Sequence, residues 1–255
     1  MMRVLTWNMA GAGFHTGAPH AEAWEWLRHQ AEFDVAMLQE AIPPSDLGDS
    51  FVSVLFQPRF PAQNLAWGNC TLVRNHEFRE HPIEHATWAE SSLDAALIAD
   101  GGNDLPILVN VHSNAKPIEG FPRNDFVAAG GKTCHQTKVW EIEVLAHQLQ
   151  PLLAGRRFIM GGDINAGHLL DEVYGYKNNE NLWRNMAEQG YVDLRLRHSE
   201  TERQTFFRER TNPYQLDHFF GDSSTNESVK SWTVLTEVAR DLNLSDHAPV
   251  VIDVA

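Results

Sequence analysis

The segment that most restricts the fold of this chain is residues 158–165. Residues 158–160 are apolar, two glycines follow, and Asp163 and Asn165 come directly after them. The apolar run predicts a buried strand, and the glycines predict that it ends in a sharp turn where the backbone can approach a ligand. The carboxylate and the carboxamide then offer an oxygen ligand for a hard cation beside a neutral hydrogen-bonding group. Asp and Asn next to glycine commonly mark an ordinary turn as well, so this motif alone leaves both interpretations open.

Four further segments have the same pattern, an apolar run that ends in a polar residue. The polar residues at these predicted strand ends are Asn8, Glu40, His112 and the pair Asp246–His247. Each has a structural explanation when taken singly: a turn cap, a solvated acid, a core histidine and a helix N-cap. The recurrence of the pattern, and no single residue, favours chemistry at the strand ends.

Asp217 lies within a run of apolar residues, 216–220, that predicts another strand. A carboxylate among Leu and Phe side chains costs free energy unless another group pairs with it. Histidine is the natural partner, because an acid behind an imidazole fixes its tautomer and stabilises its cation.

Strands outnumber helices in the predicted element order. Strands are predicted at 3–8, 34–39, 52–57, 69–74, 93–99, 106–112, 156–160, 191–194, 205–207, 216–220, 230–236 and 250–254. Helices are predicted at 21–31, at 136–153 and through Leu182 and Met186, and residues 113–133 form a long polar loop. Hairpin-like turns such as 101–104 join several strands, which favours sheets packed face to face with helices outside. Since no linker or repeat interrupts the pattern, we expect a single domain over 1–255.

The amino-acid composition limits the kinds of binding partner and the cellular location that we expect for this protein. The formal net charge of -14 disfavours broad attraction to nucleic acid phosphates, although metal ions and a few local cations can still meet a phosphate. No stretch is long and apolar enough to cross a bilayer, and residues 1–8 lack the features of a signal peptide. With two cysteines and no disulfide or zinc pattern, we expect a cytoplasmic protein with reduced thiols.

As an ordered set, these motifs resemble the endonuclease/exonuclease/phosphatase superfamily, the deoxyribonuclease-I-like group. The matching segments, which run from residue 3 to residue 254, include 5–8, 38–40, 109–113, 162–165, 216–220 and 245–249. The resemblance implies an α+β fold, a four-layer α/β sandwich of two packed mixed β-sheets flanked by helices. It also implies metal-assisted phosphoester hydrolysis with Mg²⁺, or with Mn²⁺ as the alternative, at the strand ends where both sheets open.

The resemblance also implies a metal site and a site for the attacking water. Glu40 corresponds to the main metal carboxylate, with Asn8 and Asp246 as further ligands or water-mediated partners. Asp163 would orient or deprotonate the attacking water, and Asn165 would hold a phosphate oxygen.

Two histidines complete the implied catalytic set. His247 corresponds to a base or phosphate-binding histidine, and His112 with Asp217 corresponds to a second histidine–acid pair near the leaving oxygen. We expect Asp163 and His247 to lie in a cleft open to solvent.

Two features of the family pattern are missing. Residues 64–70 contain no acid to support His247, and residues 91–94 contain no arginine. Asn69 is the candidate replacement for the acid and a candidate substrate-binding residue. Lys116, Arg123 and Lys132 are candidate replacement cations for binding substrate, although they also fit an ordinary solvated loop.

The leading hypothesis is a divalent-metal-dependent phosphodiesterase, an endonuclease or an exonuclease, that acts on nucleic acid or a small phosphoester. A phosphatase of a small phosphorylated metabolite or lipid head group is the alternative within hydrolases. A binding module that keeps the fold without catalysis is the third hypothesis. The intact set of implied site residues favours an enzyme, and the sequence leaves the oligomeric state open.

Overall fold

Two mixed β-sheets dominate the computed structural model, which describes residues 1–11, 20–59, 66–82, 95–208 and 214–255. Each sheet has six strands within these residues. The predicted sandwich of two mixed sheets flanked by helices is confirmed.

The first sheet is built around β1 and β2, which pair in parallel. In spatial order its strands are β11 (Val229–Val234), β12 (Val250–Val254), β1 (Met2–Asn8), β2 (Val35–Ala41), β4 (Gly68–Val73) and β3 (Ser53–Pro58). The other neighbours pair antiparallel. Parallel pairing brings the C-terminal ends of β1 and β2 to the same edge of the sheet.

The second sheet is built around β7 and β8, its parallel pair. In spatial order its strands are β5 (Arg79–Glu80), β6 (Ala96–Asp100), β7 (Ile107–His112), β8 (Phe158–Asp163), β10 (Asp217–Gly221) and β9 (Val192–Asp193). A hairpin joins β6 and β7 at the predicted turn. The C-terminal ends of β7 and β8 therefore also share one edge.

Seven helices lie in the described residues. They are α1 (Ala21–His29), α2 (Arg123–Ala128), α3 (Glu141–Leu153), α4 (His168–Tyr174), α5 (Asn178–Glu188), α6 (Ser223–Ser228) and α7 (Thr236–Arg240). Short 3₁₀ turns occupy Leu47–Asp49 and Leu194–Arg197. Within the described residues, no helix has the length and apolarity that a membrane span requires.

Three apolar clusters hold the layers together. The cluster between the sheets includes Met37 of the first sheet and Ile159 and Phe219 of the second, all fully buried. One outer cluster packs α1 against the first sheet through Trp24 and Leu27. The other packs α3 and α5 against the second sheet. Burying apolar area on both faces of each sheet explains why the central strands read as continuous apolar runs.

Several sequence-based boundaries are wrong for local reasons. The predicted polar loop 113–133 contains α2, and the helix predicted from 136 begins at Glu141, where the Glu143 carboxylate accepts from the Trp140 N–H as a cap. The strand predicted at 205–207 is a single bridge between Phe206 and His247. Residues 93–94 of the strand predicted at 93–99 lie outside the described residues.

The glycines of the opening motif do not form a turn, because β8 continues through them to Asp163. A Cβ on Gly161 would lie 2.5 Å from the Phe219 ring, and one on Gly162 would lie 1.8 Å from the Val111 carbonyl oxygen. The glycines therefore allow close approach of a neighbouring strand, while Asp163 leaves the sheet edge directly beyond them.

Candidate active site

The candidate site lies where two sheet edges meet. One edge contains the C-terminal ends of β1 and β2, and the other contains those of β7 and β8. Asn8 is the last residue of β1, Glu40 lies near the end of β2, and His112 and Asp163 end β7 and β8. His112 and Asp163 are register partners, and Asp217 on β10 is the register partner of Asp163 on the other side. The strand order thus gathers residues that are far apart in sequence.

The Asn8 amide joins the two sheets at their common edge. Its Nδ2 donates to Asp163 Oδ2 at 3.0 Å and, at 3.4 Å, to Glu40 Oε1. Its Oδ1 accepts from the Ala10 N–H at 2.9 Å, which fixes the orientation of the amide. A single neutral amide therefore bridges the two acids.

A β-bulge sets the position of Glu40. The pairing of β2 with β4 shifts register between Leu38 and Ala41, and Glu40 has a φ of 48°, a left-handed conformation uncommon for a residue with a side chain. Bulges near active sites re-aim a side chain. Gly11 N–H donates to the Glu40 carbonyl at 3.0 Å, and a Cβ on Gly11 would lie 2.1 Å from that oxygen. The loop after β1 thus helps to hold the bulge.

His247 and Asp217 form a buried histidine–acid pair. His247 Nδ1 lies 2.8 Å from Asp217 Oδ2, and the other ring nitrogen, Nε2, lies 3.9 Å from Asp163 Oδ2. Thr205 Oγ1 accepts from the Asp217 N–H at 3.2 Å and helps to fix the acid. The prediction that Asp217 pairs with His112 is wrong, because His112 and Asp217 lie on opposite sides of β8.

The site is more enclosed than the expected open cleft, since Asp163 and His247 are only 2% and 5% exposed. Burial raises the pKa of Asp163, and the nearby Asp217 raises it further, against the opposing effects of His247 and Asn8. Burial alone would lower the pKa of His247, but Asp217, Asp163 and Asp246 outweigh it and raise that pKa. His247 is therefore held as a cation among carboxylates.

His112 has the opposite electrostatic character. Its Nε2 lies 3.5 Å from Glu40 Oε1 and 4.0 Å from Asp163 Oδ2, and its ring centroid is 5.7 Å from that of Trp67. Burial, with smaller contributions from the charges of Arg59 and His247, lowers the pKa of His112 to about 3. His112 is thus a neutral imidazole beside the two acids.

Asn165 is held in a strained conformation next to Asp163. Its φ is 50°, its N–H donates to Asp163 Oδ1 at 2.9 Å, and its Nδ2 donates to the Ser113 carbonyl at 2.8 Å. Left-handed backbone outside glycine is concentrated at functional sites, although Asn tolerates it better than most residues. Asp163 and Asn165 are therefore positioned by each other.

Ser245 ties the segment before β12 to the end of β1. Its Oγ donates to the Asn8 carbonyl at 2.7 Å and accepts from the His247 N–H at 3.1 Å. Trp7 Nε1 donates to the His247 carbonyl at 2.9 Å. Asp246 is half-buried beside them and adds negative charge near His247.

The acids at this edge match what a hard divalent cation requires. Among the described residues, no group of three or more His, Cys, Asp or Glu side chains is arranged so that it could hold a metal ion. Magnesium does not need one, because it is bound by one or two carboxylates and keeps several waters. Glu40 and Asp163, bridged by Asn8, supply carboxylate oxygens of this kind.

Asn69 does not support His247, since Asp217 does, and that prediction is wrong. Asn69 is 1% exposed, and its Nδ2 donates to the Ala95 carbonyl at 3.1 Å and to the Asn110 carbonyl at 3.4 Å. It links the first sheet to the second. Residues 64–65 of the segment 64–70, which lacks the family acid, and residues 91–94, which lack the arginine, lie outside the described residues.

The three predicted substrate cations have different surroundings. Lys132 forms an ion pair with Glu188, and Arg123 Nη2 donates to Thr133 Oγ1 at 3.0 Å. Lys116 is exposed and makes no ion pair with a residue that the structure describes. Their roles in substrate binding stay predictions, with two of the three already engaged within the protein.

Other residues at the site were missed by sequence reasoning. The half-buried Phe206 ring lies 5.0 Å from the His247 ring. His218 is fully buried, and its Nε2 lies 3.0 Å from the Ala166 carbonyl, which anchors the loop after Asp163. The position of His218 next to Asp217 in the sequence could have indicated its place near the site. Nothing in the sequence around Phe206 indicates its contact with His247.

Comparisons with known proteins agree with this geometry. A model of the Endonuclease/Exonuclease/phosphatase family matches residues 5–247. The chain is similar in fold to the 3' phosphatase NExo from Neisseria bound to product DNA hairpin, with a TM-score of 0.72, 16% identity and 100% of each chain covered. It is also similar to an AP endonuclease from Archaeoglobus fulgidus, with a TM-score of 0.69, 15% identity and coverage of 100% and 99%.

A third structure, the AP endonuclease LMAP from Leishmania major, gives a TM-score of 0.64 at 16% identity, covering 98% of this chain and 86% of the other. No curated protein matches the sequence. Structural similarity at identities this low shows only a common fold. The assignment of the chain to a family rests on the match to the family model.

Proposed function

The chain belongs to the endonuclease/exonuclease/phosphatase family and is a phosphoester hydrolase, and we propose that it is a divalent-metal-dependent phosphodiesterase that cleaves nucleic acid. One observation carries the proposal: Asp163 lies within 4 Å of the Asn8 amide and both site histidines. Buried acids with perturbed pKa values and specific partners are typical of functional sites.

Glu40 is the carboxylate that would hold the cation, Mg²⁺ or Mn²⁺, with Asn8 and Asp246 as its further partners. Asn8 would contact the cation through bound water, because its N–H groups face Glu40 and Asp163 while its Oδ1 accepts from the Ala10 N–H. When bound, the cation neutralises charge on the phosphate oxygens and lowers the pKa of water. Asn8 has a second function, because its amide fixes the separation between Glu40 and Asp163.

Asp163 is proposed to orient the attacking water and accept its proton. Burial favours the protonated form of this carboxyl, which makes it a stronger base than an exposed aspartate. Its Oδ1 is held by the Asn165 N–H, so Oδ2 is the oxygen that faces Asn8 and the histidines. The Asn165 side-chain amide has a second N–H to offer to a phosphate oxygen.

His247 is proposed to bind the phosphate as a cation. Asp217 on Nδ1 fixes the ring, so that Nε2–H can donate a charge-assisted hydrogen bond to a phosphate oxygen. His112 is neutral and would act near the leaving oxygen through hydrogen bonding alone. His247 would therefore stabilise the charge of the phosphate, whereas His112 would contribute a neutral hydrogen bond.

The names of the structural relatives support a nucleic acid substrate, since they include a phosphatase bound to a DNA hairpin and AP endonucleases. A phosphomonoesterase for a small metabolite is the second candidate. It is favoured by the net charge of -14 and by the engagement of Lys132 and Arg123 within the protein, which weaken the case for an extended basic face.

A hydrolysis screen with magnesium and with manganese tests the proposal. Single-stranded DNA, plasmid DNA, RNA and bis(p-nitrophenyl) phosphate are compared with a panel of phosphomonoesters, and Asp163→Asn is the inactive control. We expect metal-dependent cleavage of nucleic acid that the control lacks. Release of phosphate from monoesters alone would replace the proposal with the second candidate.

A further inference from the structure

The β-bulge that carries Glu40 consists of three residues. The last register pair before it is Leu38 of β2 with Cys70 of β4. Beyond that pair, Gln39 and Glu40 on β2 face the single residue Asn69 on β4. An extra residue of this kind disrupts the regular ladder, so nearby backbone groups need other hydrogen-bond partners. Whatever holds the bulge therefore also holds the Glu40 backbone.

The side chain of Asn110, on β7 of the second sheet, contacts this bulge. Its Nδ2 donates to the carbonyl oxygens of Leu38 at 3.1 Å and Cys70 at 3.0 Å. Its Oδ1 accepts from Gln39 Nε2 at 2.7 Å, and its backbone carbonyl accepts from Asn69 Nδ2 at 3.4 Å. One residue of the second sheet thus binds the register pair before the bulge and two of the three residues in it.

This polar contact is buried between the two sheets. Asn110 and Gln39 are 0% exposed, and Asn69 is 1% exposed. Burying an amide is unfavourable unless hydrogen bonds satisfy it, whereas an apolar side chain of similar size would fill the space without that requirement. A different arrangement of β2 would leave several buried polar groups unpaired, so the network favours a single position of the bulge.

The same strand also contacts the Glu40 side chain. Asn110 and His112 are two residues apart on β7, so their side chains point to the same face of the strand. His112 Nε2 lies 3.5 Å from Glu40 Oε1. β7 therefore meets the Glu40 carboxylate through His112 and the bulge behind it through Asn110.

We propose that Asn110 is a positioning residue for the cation site, which holds the left-handed Glu40 backbone from the opposite sheet and so directs the Glu40 carboxylate. The φ of 48° at Glu40 belongs to a conformation that persists only where the surrounding structure fixes it. Asn110 is fully buried, so it acts through the bulge and not by contact with substrate. Outer partners of this kind orient metal ligands and raise metal affinity. The inference rests on the proposed function only where it concerns the cation.

Two substitutions break the contact in different ways. Asn110→Ser shortens the side chain and leaves room for a water that can satisfy the freed carbonyl groups, which protects the fold. Gln39→Met removes the bond to Asn110 Oδ1 and keeps the length of the side chain. Thr71→Val is the matched control, because it removes only the longest contact of Asn110 Nδ2, at 3.3 Å, and leaves the bulge contacts in place.

Hydrogen exchange tests the role of Asn110 without metal or substrate. The reporter is the Gly11 N–H, which donates to the Glu40 carbonyl, and the reference is the Leu235 N–H, which follows β11 at the far edge of the same sheet. In both test variants we expect exchange to become about tenfold faster at Gly11 and to change by less than about twofold at Leu235. Equal acceleration at both amides, or none at Gly11, would overturn the inference.

Mn²⁺ binding, read from the electron paramagnetic resonance signal of the free ion, tests the consequence for the cation. We expect the Kd to rise about tenfold in Asn110→Ser and to stay unchanged in Thr71→Val. Because Asn110 acts through Glu40, Asn110→Ser should add nothing in a Glu40→Gln background, and additive effects would overturn the inference. A wild-type protein that binds no Mn²⁺ would overturn the proposed metal site alone, and the Gly11 exchange would then decide the role of Asn110.

Discussion

His247 Nδ1 and Asp217 Oδ2 lie 2.8 Å apart and join the segment before β12 in the first sheet to β10 in the second. The pair is buried, and Asp217 has no exposed surface. Because the carboxylate stabilises the imidazolium, the charge on His247 depends on a residue that does not itself reach the substrate. The contact therefore links the two sheets and also determines the charge of His247 in the site.

Replacing Asp217 with Asn removes the charge and keeps the shape of the side chain. We expect kcat/KM to fall by about 10²-fold, because His247 loses the partner that holds it charged and oriented. Steady-state kinetics on a phosphodiester measure the loss. Asp253→Asn, which removes an acid far from the site, is the control, and an equal loss in both variants would contradict a specific role for Asp217.

Replacing Glu40 with Gln weakens the predicted metal site without changing the size of the side chain. We expect the Mg²⁺ concentration needed for half-maximal activity to rise, since a neutral amide binds a hard cation less strongly than a carboxylate does. Activity is titrated with Mg²⁺ after removal of metal by a chelator. A titration curve identical to that of the wild type would show that Glu40 is not a metal ligand.

Gly162→Ala should destabilise the fold near the site. The new Cβ would lie 1.8 Å from the Val111 carbonyl oxygen, so β7 and β8 must separate. We expect the free energy of unfolding to fall by about 3 kcal/mol. Gly48→Ala has open space around its Cβ and is the control, expected to change stability by less than about 0.5 kcal/mol. Urea denaturation compares the two, and similar stabilities would contradict the packing argument.

The ion pair between Arg3 and Asp253 should make stability depend on pH in the acid range. Hydrogen bonds from Arg3, opposed by partial burial, hold the pKa of Asp253 below its usual value. A lowered pKa gives stabilisation above the unfolded-state pKa, and this stabilisation is lost as the pH falls through the folded-state pKa. We expect Asp253→Asn to cost about 1 kcal/mol at neutral pH and to match the wild type in strong acid. A cost that persists in acid would contradict this.

The sequence predicted the order of the motifs and the layered fold because each central strand is a continuous apolar run with a polar residue at its end. It could not predict which acid supports which histidine. That pairing depends on β10 lying beside β8 and on the segment before β12 reaching across from the other sheet. The two glycines were misread as a turn, since close packing against Phe219 and Val111 has no local signal.

A cavity of about 480 Å³ beside Asn165 and Phe206 was equally hidden from sequence reasoning. Its rings come from three separate places in the chain, namely Trp140, Tyr174 with Tyr176, and Phe206 with Tyr214. No spacing rule connects these positions. The predicted cations at Lys116, Arg123 and Lys132 were chosen from a polar stretch, and none of the three lines this cavity, whereas Lys138 does.

The most direct measurement of the central claim is the rate at which Asp163→Asn hydrolyses bis(p-nitrophenyl) phosphate and a single-stranded oligonucleotide in the presence of Mg²⁺. Circular dichroism first checks that the variant keeps the wild-type fold, because Asp163 is buried. We predict that both rates fall by about 10²–10⁴-fold and that the wild-type rates vanish when a chelator removes the metal. Rates in the folded variant within about tenfold of the wild type, or wild-type rates indifferent to the chelator, would contradict a metal-dependent site centred on Asp163.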